Sequence, residues 1–150
     1  PSSPFVAGYG KTQQILRQPF RTYFAQVSRL VREADSLLFL GYGFGDLHLN
    51  AAFSDVRDRR RPIVVVDWAD KSQDSLPSRS DIWTYNLFRT LPGNAHDMGQ
   101  LGHTAPASIS DLKSANECEV STNFLYPLAV WYNGFLGACR NYTEILRHLQ

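Results

Sequence analysis

Ser36-Leu-Leu-Phe-Leu40, followed at once by Gly41-Tyr-Gly-Phe-Gly-Asp46, is the stretch whose reading decides the fold. A short continuous apolar run suits a strand buried on both faces of a parallel sheet. The glycines that interrupt it mark a tight turn whose backbone lies open to close approach. Downstream, Leu49, Ala52, Phe53 and Val56 recur at helical spacing, which predicts a helix from about residue 47 to 60 with Asp46 as its N-cap. Pro62 stops that helix. Ile63-Val-Val-Val66 then reads as a second buried strand, rich in β-branched residues, with Asp67 at its C-terminal end. Strand, glycine turn, helix and strand make a right-handed βαβ unit with parallel strands.

Upstream, Phe20, Tyr23, Phe24, Val27, Leu30, Val31 and Ala34 form one apolar stripe, with Arg21, Arg29, Arg32 and Glu33 off it. Pro19 suits the first turn of that helix. Residues 1–18 read as irregular, and a chain that starts at Pro1 rather than Met is expected to mark a processing site, a boundary or a truncation. Beyond Asp67 the pattern weakens. Residues 69–80 are polar and loop-like, Trp83, Leu87 and Leu91 suggest a helix over 79–91, and 92–107 reads as a long loop. A short strand is expected near Glu119–Ser121. Pro127–Ala138 and Tyr142–Leu149 are predicted as helices, which makes 108–150 a helical tail. The expected fold is α/β, a Rossmann-like parallel sheet with flanking helices, forming an incomplete domain over 1–150 of which 1–70 is the clearest part.

Composition narrows the function classes. Apolar residues at 43% and aromatics at 13% are enough to build a core. A net charge of +1 gives no global attraction to nucleic acid or to an anionic membrane, so neither is expected as a direct partner. No apolar run approaches the ~20 residues that span a bilayer, and no signal peptide opens the chain, so the expected location is cytoplasmic. Cys118 and Cys139 have neither C-x-x-C nor zinc spacing. They read as buried free thiols, a disulfide between them being the alternative, and no metal site is expected. His96, Asp97 and His103 are irregularly spaced in a glycine-rich stretch and read as solvated loop residues. Gly8-Tyr-Gly-Lys-Thr12 ends like a phosphate loop, but Phe5 stands where such a loop needs its first glycine. Arg57-Asp-Arg-Arg-Arg61 reads as a solvated helix end. No catalytic triad can be picked out, and no catalytic residue is assigned.

The glycine turn is the candidate site. A helix N-terminus presents unpaired N–H groups and partial positive charge, and a strand feeding it through glycines makes a cradle for phosphate. An acid at the end of the next strand can accept the hydroxyls of an adenosine ribose, and Asp67 stands there. The dehydrogenase fingerprint G-x-G-x-x-G would need glycine at 46, where Asp46 stands. A carboxylate there repels a pyrophosphate lying on the helix terminus, so Asp46 is expected either to cap Leu49 N–H or to accept a hydroxyl. His48 either meets a ligand, pairs with Asp46 or packs on the helix surface. A tight turn in an α/β core with no ligand is the competing reading.

Leu37-Leu-Phe-Leu-Gly-Tyr-Gly-Phe-Gly-Asp-Leu-His-Leu-Asn50 resembles the G-Y-S-F-x-D-x-H-I-N motif of sirtuin-like domains in bacterial anti-phage defence proteins, relatives of the NAD-dependent deacylases. Gly41, Tyr42, Phe44, Asp46, His48 and Asn50 match position by position, while Gly43 replaces a serine or threonine that contacts ribose or phosphate in the family. Gly8-Tyr-Gly-Lys11 and Pro19-Phe20 also look like this family, and the resemblance spans about residues 4–70.

It implies NAD as the cofactor and Gly41, Tyr42, Gly43, Phe44, Asp46, His48, Asn50 and Asp67 as its contacts. It implies a parent NAD hydrolase that cleaves the nicotinamide–ribose bond. The family's catalytic glycine loop, Asn, Asp and general-base His all precede the motif, and the residues before Gly41 contain no His. The chain is therefore expected to be inactive alone. The alternatives are a non-catalytic module that senses NAD or an ADP-ribose-type nucleotide, and a structural or oligomerising piece. Expected protein partners are a second copy of the chain or another defence protein.

Overall fold

The computed structural model describes residues 18–69, 86, 87, 89–91, 109–121 and 123–150. Helix α1 (Phe20–Glu33) leads into strand β1 (Leu37–Leu40), helix α2 (Leu47–Ser54) and strand β2 (Ile63–Val66). The second half supplies α3 (Ile109–Ala115), β3 (Glu119–Val120), β4 (Leu128–Trp131), α4 (Gly134–Arg140) and α5 (Tyr142–His148). The four strands form one sheet in the order β1-β2-β4-β3. β1, β2 and β4 are parallel, with Leu37 level with Ile63 and Ile63 level with Leu128, and β3 is antiparallel to β4. The chain is thus α/β with a mostly parallel open sheet, and the βαβ unit read from the glycine turn is present.

Alternation of side chains along the strands builds two cores, one on each face of the sheet. Ile63 and Val65 of β2 and Leu128 and Val130 of β4 face a cluster with Val31 of α1, Phe53 of α2, Leu87, Leu91, and Ile109 and Leu112 of α3. Val64, Val66, Ala129 and Trp131 face the other way, onto Ala138 of α4 and Ile145 of α5. These are the three layers expected of helices on both faces of a parallel sheet.

Four expectations are corrected. β1 is not buried on both faces: Phe39 is buried, but Leu38 and Leu40 are 45% and 49% exposed. Both point to the α4–α5 face, where the described helices pack on β2 and leave β1 uncovered. The stripe on α1 is likewise only partly covered, with Val31 buried while Tyr23 and Leu30 are exposed.

Of the helix predicted over Pro127–Ala138, Leu128–Trp131 is strand β4 and Gly134–Ala138 is helical, so residues 108–150 are not wholly a helical tail but combine three helices with strand β3 and a strand beside β2. Four consecutive buried apolar residues carry no period that separates helix from strand. Here the backbone bonds decide, with Ile63 N–H donating to the Pro127 carbonyl (3.1 Å) and Asp67 N–H to the Trp131 carbonyl (2.8 Å).

The basic run is solvent-exposed over Arg57–Arg60, but it lies beyond the helix rather than at its end, and Arg61 is not solvated. α2 stops at Ser54, and Arg61 is buried with its guanidinium donating to the carbonyls of Val31 and Ala34 (3.1 Å to the latter). Arg59 donates to the Arg32 carbonyl and pairs with Asp35 at 2.9 Å. The cations still complement a helix dipole, but that of α1, whose last carbonyls they satisfy.

Both cysteines are free thiols, but the expectation that they are buried is corrected: Cys118 is half-buried and Cys139 exposed. The helix read over 79–91 falls mostly outside the described residues, of which 86, 87, 89 and 90 are helical. Trp83, the 92–107 loop with His96 and His103, and the Gly8–Lys11 match also lie outside them.

Candidate functional site

The turn after β1 is held in a left-handed conformation at Gly41 (φ 61°), Gly43 (φ 64°) and Phe44 (φ 54°). Only glycine adopts this region without cost, and Phe44 does so because its surroundings hold it there. Its ring has no solvent exposure and lies 5.0 Å, centroid to centroid, from both Phe39 and Tyr42, with Phe53 edge-on to Phe39 at 4.8 Å. An aromatic cluster therefore anchors the turn to the sheet.

Polar groups brace it from within. The Tyr42 hydroxyl donates to Asn50 Oδ1 at 2.7 Å, with the Asp46 carbonyl 3.2 Å away. Asn50, buried, donates Nδ2–H to the Phe44 carbonyl at 2.7 Å. Burial first, and the Asp46 carboxylate second, push the Tyr42 phenol well above its ordinary pKa, so it acts as a neutral donor. Asp46 Oδ1 accepts from His48 N–H and Leu49 N–H, both at 3.1 Å. Capping Leu49 is thus the role Asp46 takes, and its carboxylate covers the N-terminus of α2 where a phosphate would otherwise sit. Tyr42, Phe44, Asp46 and Asn50 are brought together, engaged with one another, while His48 is half-buried at the start of α2.

What faces outward is different. A side chain built at Gly41 or Gly45 would meet nothing within 4 Å, so the space before the turn is open. Gly41 N–H donates to the Val66 carbonyl at 2.8 Å, which sets Gly41 beside the start of Asp67 along the C-terminal edge of the parallel strands. In open α/β sheets that edge is where ligands sit. Asp67 is half-buried, its Oδ1 accepts from Trp68 N–H at 2.8 Å, and among the described residues Oδ2 has no hydrogen-bond donor.

Two residues at this edge were not singled out from the sequence. Trp68 is 62% exposed beside Asp67, with the Lys113 ammonium 3.8 Å from its ring centroid. Lys113 also donates to the Ala69 carbonyl, which holds α3 against the end of β2. The signal available was an aromatic next to the strand-end acid; nothing in sequence linked Lys113 to it.

A separate cleft of about 290 Å³ runs along Leu47, Asn50, Ala51, Ser54 and Asp55 of α2 towards Arg89 and Thr90. It includes neither Gly41 nor Asp67. Its buried polar members are already hydrogen-bonded, Asn50 within the turn and Thr90 Oγ1 to the Asn86 carbonyl at 2.8 Å.

Comparisons of the chain with protein-family models, with curated proteins and with solved structures found no match.

Proposed function

We propose that the C-terminal edge of β1 and β2 forms the adenosine-side wall of an NAD site, in a domain of the sirtuin-like NAD-hydrolase kind that acts in bacterial defence and in the cytoplasm. The observation that carries the reading is the pairing of open space before Gly41 with the Asp67 carboxylate on the neighbouring strand end. The residues fit the group. Gly41 and Gly43 let the backbone approach a pyrophosphate, Asp67 Oδ2 accepts a ribose hydroxyl, and Trp68 offers an exposed indole beside it for an adenine face. NAD, when bound, would supply the nicotinamide–ribose bond that the parent activity cleaves, and the residues of this edge would hold its adenosine side. Among the described residues nothing covers one face of β1 or pairs with its outer edge, which fits a domain in which another strand lies alongside it, since ligand crevices form where strand order reverses.

Isothermal titration with NAD and with ADP-ribose tests the reading. Both are expected to bind with similar affinity, and Asp67→Ala to weaken each by ~1–3 kcal/mol, the cost of unmade hydrogen bonds to a charged group. Unchanged affinity in Asp67→Ala overturns the placement of the ribose. No nicotinamide is expected to be released from NAD by the chain alone, and release would overturn the non-catalytic assignment.

One observation favours a second reading, a structural module with no ligand. The polar side chains of the turn are satisfied by one another, and Asp46 caps the helix that would hold a phosphate. Absence of binding by either nucleotide, with the fold intact, supports that reading instead.

A further inference from the structure

Cys118, Glu144 and His148 are scattered in sequence but meet on the α4–α5 face of the sheet. Cys118 lies just before β3 and packs against the core formed by Val64, Val66, Ala129, Trp131, Ala138 and Ile145. Glu144 and His148 occupy i and i+4 on α5, hence one face of that helix. Cys118 Sγ is 3.2 Å from His148 Nε2, and His148 Nε2 is 3.5 Å from Glu144 Oε1. All the ligating atoms of the three residues fall within 4.8 Å of one another.

Two chemistries use a Cys, a His and a carboxylate. A nucleophilic relay needs both ring nitrogens, one for the thiol and the other for the carboxylate. Here thiol and carboxylate converge on the same nitrogen, Nε2, so the imidazole cannot pass a proton from one to the other. Convergence on one point is instead what a metal ion demands. Tetrahedral zinc with bonds of ~2.0–2.3 Å sets its donor atoms roughly 3.3–3.7 Å apart, close to the Cys118–His148 and His148–Glu144 separations, while the Cys118–Glu144 pair, within 4.8 Å, closes the rest of the way by side-chain rotation on binding. A thiolate, an imidazole and a carboxylate form a borderline donor set that suits Zn²⁺ and disfavours Mg²⁺ or Ca²⁺.

We propose that Cys118, His148 and Glu144 bind a divalent zinc ion, with solvent as the fourth ligand, and that the ion ties α5 to the start of β3. Binding exchanges the thiol proton, released to buffer, for the metal. The Arg147 guanidinium also pairs with Glu144, but it is largely exposed, so this ion pair is weak and its guanidinium turns to solvent when the carboxylate takes the metal. Cys139, exposed on α4, is not part of the set.

The test uses the full chain, stripped with a chelator, kept reduced and titrated with Co²⁺ and Zn²⁺. One Co²⁺ per chain is expected, with a thiolate-to-cobalt charge-transfer band and the intense visible bands of a four-coordinate ion. Zn²⁺ abolishes both and raises the melting temperature, whereas Mg²⁺ and Ca²⁺ do neither. Cys118→Ser and His148→Ala each remove the charge-transfer band or raise the Zn²⁺ Kd at least tenfold, and Cys139→Ser changes nothing. Glu144→Gln serves as a further variant should either of the first two fail to fold, judged by far-ultraviolet circular dichroism of the metal-free proteins. A cobalt–thiolate band that persists in Cys118→Ser, or no saturable one-to-one binding by the native chain, overturns the site. Neither result bears on nucleotide binding at the other edge of the molecule.

Discussion

The glycine turn and the C-terminal layer are stabilised on opposite faces of the same sheet by opposite means. In the turn, the polar side chains find their partners close in sequence: Tyr42, Phe44, Asp46 and Asn50 satisfy one another within nine residues. In the C-terminal layer the partners come from four elements. Asn116, itself in a left-handed conformation (φ 54°), accepts at Oδ1 from Trp131 Nε1–H (3.2 Å) and Asn133 Nδ2–H (3.1 Å). It donates to the Gly137 carbonyl at 3.3 Å, and its own carbonyl accepts from Asn141 at 3.2 Å. One residue thus joins the end of α3 to β4 and α4 through its side chain and to the start of α5 through its carbonyl. A local brace keeps its shape when distant parts of the fold loosen, and a long-range junction does not.

The largest effect is expected where the junction meets the core. Trp131→Ala removes a fully buried indole and its hydrogen bond, and should cost ~3–5 kcal/mol in urea unfolding. A loss well below that range would mean that the C-terminal layer can collapse around the cavity, and that it is no less self-contained than the turn. Next comes Asn50→Ala, which removes the Nδ2–H donor to the Phe44 carbonyl and the shortest acceptor of the Tyr42 hydroxyl and should cost about 1–3 kcal/mol. If stability holds while NAD affinity falls, Asn50 serves the ligand and the turn is not braced from within.

That contrast also explains how far the sequence could be read. The βαβ unit was legible because its cues are local: an apolar run, glycines, a capping aspartate, a proline, and a β-branched run ending in Asp67. Asp46 was legible as an N-cap from its residue type and place, with hydroxyl acceptance as the alternative, and the structure shows the cap. What was not legible depends on which elements meet. Nothing in Leu128-Ala-Val-Trp131 says that it lies beside β2 rather than coiling as a helix, and nothing within Arg57–Arg61 says that Arg61 turns inward to the end of α1. Cys118, Glu144 and His148 lack any metal-binding spacing, because the two segments that bring them together are separated by β3, β4 and α4. Among the site residues, the motif marked Tyr42, Phe44 and Asn50 as ligand contacts, whereas their side chains point to one another; open space and Trp68 became apparent only with the fold.

The smallest effect concerns pH. The folded Tyr42 phenol titrates above the ordinary value near ~10, owing to burial and then to Asp46. Its contribution to stability is therefore complete below that ordinary value and is lost as the pH rises through the higher, folded-state value, because the unfolded chain gives up its proton first. Tyr42→Phe should flatten this part of the alkaline decline in unfolding free energy, measured against the parent by denaturant titration at stepped pH. An identical slope would place the phenol in water and loosen the internal network of the turn.

The buried guanidinium of Arg61 has a consequence for how the molecule breathes. It sits at the entrance to β2 yet closes the final carbonyls of α1, a helix some thirty residues earlier in the chain. Lifting α1 off the sheet would break the guanidinium's bonds to the Val31 and Ala34 carbonyls, and fraying β2 would uncap the helix. The two segments therefore open together, so their amides are expected to share one hydrogen-exchange free energy as a single cooperative unit rather than fade in sequence from the chain end.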